Sequence, residues 1–186
     1  DLNVPGVTNE DVVDATEYVM ACFEVVDSRI HDWKVKIQDT VADNASCGLF
    51  VLGDERADPR ALDFPNLKMR VFKNGEPLSE GLGSAALGSP LNCVSWLANT
   101  LSKFGITLNA GDVVLSGSLV PLEPVVAGDQ GDDRVHDPVE DDRGDAVQER
   151  RDRHRRHRDL RIVDWRVAYP PVVGTLGVVA AERSGL

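Results

Sequence analysis

The chain has 186 residues, 42% of them hydrophobic and 27% charged, with a formal net charge of -11. That length suits one domain with a sizeable core, and the composition is that of an ordinary globular protein. The negative balance repels nucleic acid and anionic membrane, so neither is expected as a partner, and the longest apolar runs, 48–52 and 176–181, are far too short to span a bilayer.

Thr8-Asn9 ahead of Glu10 and Asp11 marks a helix start, with a capping side chain and acids in the first turn. Val12, Val13, Thr16, Val19 and Met20 then recur at helical spacing, which predicts one amphipathic helix over 9–20. Residues 22–26 predict a strand, 33–42 read either way, and 48–52 predict a short apolar strand. The segments 67–72 and 77–80 predict a hairpin turning at Asn74-Gly75. Ser89-Pro90 caps the clearest helix, whose apolar face is assigned to Leu91, Val94, Trp96, Leu97, Leu101 and Phe104, and Gly105 stops it. Residues 106–108 and 113–116 return to strand. Short strands with isolated helices, out of strict alternation, predict an α+β, β-rich domain. The chain holds no P-loop, no G-x-G-x-x-G, no H-E-x-x-H and no internal repeat.

Cys22, Cys47 and Cys93 are odd in number, widely spaced and set among apolar or small neighbours. Reduced thiols and a cytoplasmic location are therefore expected. The opening residues do not read as a signal peptide, and because the chain starts at Asp1 rather than Met a missing N-terminal piece is expected.

No lysine follows Lys103, and residues 132–159 have almost no apolar residue and no periodicity, which predicts disorder. The run ERRDRHRRHRD (149–159) is basic, but interleaved acids and the absence of aromatic residues argue against RNA binding. A lysine-free stretch rich in Arg, Asp, His, Gly, Val and Pro is also what a GC-rich gene yields when read out of frame. The expected division is a partial catalytic domain over 1–129 and a tail over 130–186, disordered or out of frame.

Glu24 stands alone in an apolar run, with Ala21-Cys22-Phe23 before it and Val25-Val26 after it. A lone buried carboxylate is expensive. Three partners are open: Arg29, a backbone group, or a metal ion supported by further carboxylates such as Asp32, Asp39 or Asp43. Spacing does not choose among them.

Three stretches carry a resemblance: EVVDSRIHDWKVKIQDTVADNASCG (24–48), GSPLNCVSWLANTLSKFG (88–105) and LNAGDVVLSGSLVPLEPV (108–125). They resemble the 2-keto-4-pentenoate hydratase family, within the fumarylacetoacetate hydrolase-like group whose sister enzyme is 4-oxalocrotonate decarboxylase. The resemblance runs from Asp1 to Asp129, and the tail from Gln130 matches nothing in the family. It implies a β-rich mixed-sheet roll of the fumarylacetoacetate hydrolase C-terminal type, here incomplete, and a homo-oligomer when full length.

The resemblance also implies a magnesium or manganese ion held by three carboxylates, two from a Glu-x-Glu and one from the first acid of E-V-V-D-S-R, which is Glu24. No Glu-x-Glu occurs in this chain, and the family's upstream lysine and closing strands are expected to be missing. Asp43 and Ser46, in the D-N-A-S turn, are the implied catalytic residues. Ser46, Cys47 and Ser116 are the implied contacts to a small 2-oxo or 2-hydroxydienoate acid, and Asp27 and Arg29 brace Glu24. The implied reaction adds water to 2-hydroxypenta-2,4-dienoate-type acids in aromatic meta-cleavage catabolism, giving 4-hydroxy-2-oxo acids. The alternatives are a 4-oxalocrotonate-type decarboxylase, or an inactive fragment of either. Weak or no turnover is expected of the chain as written.

Overall fold

The structure, a computed structural model, describes residues 2, 5–136, 160–161, 172–177 and 179–180. In chain order the helices are α1 (Asn9–Ala15), α2 (Ile37–Ala42) and α3 (Pro90–Ser102). The strands are β1 (Ala21–Val26), β2 (Cys47–Leu52), β3 (Lys68–Lys73), β4 (Glu76–Leu82), β5 (Val114–Leu115), β6 (Glu123–Pro124), β7 (Gln130–His136), β8 (Leu160–Arg161), β9 (Val172–Gly177) and β10 (Val179–Ala180).

Two four-stranded sheets, β2-β1-β9-β6 and β4-β3-β7-β8, and a small β10-β5 pair make an α+β fold, as expected. Every ladder among the described strands is antiparallel, so the mixture is of helices with sheets and not of strand directions. Phe23 and Val25 of β1 share one buried cluster with Met69 and Val71 of β3, together with Leu119, Val120 and Val125. Met69 is 0% exposed, and burying such a side chain stabilises by about 1.5–3 kcal/mol. Alternation along β1 therefore sends Phe23 and Val25 into the core and turns Cys22, Glu24 and Val26 to the opposite face.

Local chemistry explains most element ends. Thr8 and Asp11 form a reciprocal capping box on α1, with Thr8 N–H donating to Asp11 Oδ2 at 2.8 Å and Asp11 N–H to Thr8 Oγ1 at 3.2 Å. The predicted helix over 9–20 stops at Ala15. Thr16 turns to extended backbone and its hydroxyl donates to the Val12 carbonyl at 2.6 Å, while Val19 pairs with Ala57. Asn74 and Gly75, at φ +55° and +85°, make the hairpin turn between β3 and β4. Ser89 caps α3, with its side chain accepting the Leu91 N–H at 3.3 Å. Val94 and Ala98 bury the inner face of α3, but Trp96 is 61% and Phe104 75% exposed, so neither belongs to the apolar face assigned to it. Trp96 lies two positions from Val94, about 200° around the helix, which turns it outward.

The boundary expected at Asp129 falls inside the sheet. Asn74 N–H donates to the Gln130 carbonyl and Gln130 N–H to Asn74 Oδ1, at 2.8 and 2.9 Å, and β7 continues along β3. The tail expected to be disordered is strand in its described pieces; residues 137–159, 162–171, 178 and 181–186 lie outside those described. Strands β9 and β10 occupy positions beside β1 and β5, where closing strands were expected to be missing. Among the described residues no helix is long and apolar enough to cross a membrane.

Candidate functional site

The site is built where β1, β2 and the loop between them meet. Glu24 is half-buried at the centre of β1, opposite Phe50 on one side and Gly174 on the other. Cys47, paired with Val26 across the irregularity in β2, turns its thiol to the same face. Burial, and then the Glu24 charge and hydrogen bond, push that thiol up from its ordinary pKa, with the Arg29 charge opposing them.

Arg29 does not pair with Glu24. Its guanidinium stands 3.4 Å from Asp43 Oδ1, donates from Nη2 to the Cys47 carbonyl at 2.8 Å, and reaches the Asp27 carbonyl from Nη1 at 3.3 Å. The open choice among an arginine, a backbone group and a metal is thereby narrowed, because the arginine is committed to the loop.

The D-N-A-S turn follows α2. Asn44, Ala45 and Ser46 have φ of +51°, +54° and +57°, three consecutive left-handed residues, a conformation that costs on the order of 1–2 kcal/mol per residue. Asp43 holds the turn in that shape. It accepts the Ser46 hydroxyl at 2.9 Å and the Arg29 N–H at 3.1 Å, while the Ser46 N–H donates to the Asp43 carbonyl at 2.9 Å. From the other side Asp27 N–H donates to the Ser46 carbonyl at 2.8 Å. Burial alone would raise the Asp43 carboxyl, but the Arg29 N–H, the Ser46 hydroxyl and the Arg29 charge outweigh it and hold the group below the usual carboxylate range. An anion so stabilised orients its partners well and carries protons poorly near neutral pH.

The structure thus brings Asp27, Arg29, Asp43, Ser46 and Cys47 into one bonded unit, with Glu24 on the face to which Cys47 turns. Ser116 is placed apart, buried at 3% exposure just after β5. Its neighbour Leu115 packs on the cluster of Met20 and Cys22, at one end of the face that carries Glu24. Asp32 and Asp39 are engaged locally, Asp32 with Lys34 at 3.0 Å and Asp39 with the Lys36 N–H at 2.9 Å.

Two participants escaped the sequence reading. Phe50 lies directly across from Glu24, and only strand register reveals that. Gly48 sits at a β-bulge, and a glycine inside an apolar strand was an available signal for one.

Among the described residues no group of three or more His, Cys, Asp or Glu side chains is placed to hold a metal ion. A hard dication takes several oxygen ligands, and this face offers the Glu24 carboxylate with a thiol beside it. The described residues do not by themselves fit a magnesium site.

An antiparallel α+β roll with a carboxylate on a central strand and a braced left-handed turn beside it defines the class. The chain belongs to the fumarylacetoacetate (FAA) hydrolase C-terminal family, which it matches over residues 3–139. It is 61% identical over 132 residues to a 2-hydroxyhexa-2,4-dienoate hydratase of Comamonas testosteroni, covering 71% of this chain and 50% of that protein. It is 70% identical over 106 residues to a 2-hydroxypent-2,4-dienoate hydratase of Pseudomonas putida, covering 57% and 48%. Among solved structures it resembles a 4-oxalocrotonate decarboxylase from Pseudomonas putida G7, complexed with magnesium and adipate. The TM-score there is 0.68 at 37% identity, over 72% of this chain and 51% of that one. The same decarboxylase complexed with calcium and acetate gives a TM-score of 0.65. The chain spans about half the length of the curated relatives it matches.

Proposed function

We propose that this chain carries the substrate-facing turn and one working carboxylate of a hydratase. The enzyme adds water to 2-hydroxypenta-2,4-dienoate-type acids, giving 4-hydroxy-2-oxo acids in aromatic meta-cleavage catabolism. What carries the reading is the identity gap: 61% to a dienoate hydratase over 132 residues, against 37% to the decarboxylase structure.

In this reading Ser46, oriented by Asp43, meets the substrate's polar end with Cys47 beside it, and Ser116 is a further contact from the other end of the Glu24 face. Asp43 works as the anion that fixes the Ser46 hydroxyl and the turn. Arg29 and Asp27 keep the turn against β1, so that Glu24 and Ser46 share one side of the site. A hydroxyl fixed in this way contributes by positioning, because an aligned donor is not spending free energy on orientation as the reaction proceeds. Magnesium or manganese is the proposed cofactor, supported by the magnesium in the related structure. Glu24 would be one ligand, and the others would come from outside the described residues.

The test grafts residues 5–129 of this chain in place of the corresponding segment of the Comamonas testosteroni hydratase. The chimaera is then given 2-hydroxypentadienoate or 4-oxalocrotonate with magnesium. Loss of the dienoate absorbance with formation of the 4-hydroxy-2-oxo acid supports the hydratase. Carbon dioxide release from 4-oxalocrotonate alone transfers the assignment to the decarboxylase, whose fold is shared. A folded chimaera that does neither sinks the proposal.

A further inference from the structure

The register of β2 against β1 bears on Cys47. From Leu52 to Leu49 the strands pair residue for residue; then Val26 pairs with Cys47 and Gly48 is passed over. Side chains alternate along a strand, so an unbroken ladder would turn Cys47 to the core face shared by Phe23 and Val25. The extra residue reverses this and turns Cys47 to the face of Glu24, as a bulge re-aims the side chain beside it. Glycine is required for that close approach. A Cβ at Gly48 would stand 2.8 Å from the Val25 carbonyl oxygen and 3.3 Å from the Asp27 Cβ. Behind the bulge, Arg29 Nη2 holds the Cys47 carbonyl at 2.8 Å, which fixes the backbone from which the thiol projects.

We propose that Cys47 is a positioning residue for Glu24: its S–H donates to one carboxylate oxygen and leaves the other turned outward for an incoming group. A thiol is a weak donor, so it orients the carboxylate while competing little with whatever binds there. This rests on reading Glu24 as the working carboxylate.

Infrared spectroscopy of the 186-residue chain tests the contact without substrate or metal. Subtracting the spectrum of Cys47→Ser isolates the Cys47 S–H stretch from those of Cys22 and Cys93. The expected band lies at lower wavenumber than that of a free thiol. It moves back toward the free-thiol position in Glu24→Gln, which removes the charge, and in Glu24→Asp, which withdraws it by one methylene. Either variant suffices if the other fails to fold. A band at the free-thiol position, or one that neither substitution moves, overturns the proposal. Since no turnover is read, this result and the hydratase assay can fail independently.

Discussion

Arg29 and Asp43, 14 positions apart, are bonded twice: the Arg29 N–H donates to Asp43 Oδ2 at 3.1 Å, and its guanidinium lies 3.4 Å from Asp43 Oδ1. One residue therefore ties both ends of the excursion that contains α2, and the other nitrogen of its guanidinium, Nη2, secures the Cys47 carbonyl. Removing that fork in Arg29→Met should loosen the D-N-A-S turn and lower kcat of the chimaeric hydratase by up to about a hundredfold, the scale of a misplacement near 1 Å. Arg29→Lys keeps the charge without the planar fork and should recover only part of the loss. Steady-state kinetics of the two variants side by side checks this, and equal rates would show that the turn stands without the guanidinium.

Glu24→Gln keeps shape and removes charge. In the chimaera it should reduce hydration on the order of a hundredfold, as expected when a ligand or its immediate support is altered in a metal site. Unchanged rates and unchanged magnesium dependence would remove Glu24 from the working site.

Gly48→Ala places a methyl group 2.8 Å from the Val25 carbonyl oxygen, which backbone cannot yield cheaply. A destabilisation of about 1–3 kcal/mol is expected, as for overpacking elsewhere. Urea denaturation measures it, and a midpoint equal to that of the parent chain would mean that the bulge can relax.

Two apolar residues separate the core from the surface. Met69→Ala should cost about 2–5 kcal/mol, because Met69 is fully buried between the sheets. Trp96→Ala, on the exposed side of α3, should stay within about 0.5 kcal/mol. Denaturant midpoints decide this, and comparable losses at the two positions would contradict the orientation of α3.

Asp129 accepts Asn74 Nδ2 at 2.9 Å and the Val126 N–H at 2.9 Å, with Lys73 at 3.7 Å. The Asn74 and Val126 hydrogen bonds, aided by Lys73, outweigh burial and hold its carboxyl below the usual range. A group depressed in the folded state stabilises above its unfolded pKa, about 3.9. That stability is lost as the pH falls through the folded value. Stability should therefore decline below about pH 4, and less steeply in Asp129→Asn. Parallel slopes for the two proteins would exclude Asp129 as a contributor.

The sequence by itself determined what depends on neighbours along the chain. Ser89-Pro90 and Gly105 bound α3, Asn74-Gly75 turns the β3–β4 hairpin, and the apolar run around Glu24 makes β1, because caps, turns and alternation are local effects. The motifs 24–29 and 43–46 were likewise visible before any fold was known. Tertiary structure decided what those residues face. That Arg29 turns to Asp43 rather than Glu24, that Cys47 crosses to the Glu24 face, that Trp96 points outward, and that β9 lies beside β1 all depend on partners distant in the chain. A strand's register is fixed by the strand it meets, and one extra residue in that meeting reverses which side chains share a face.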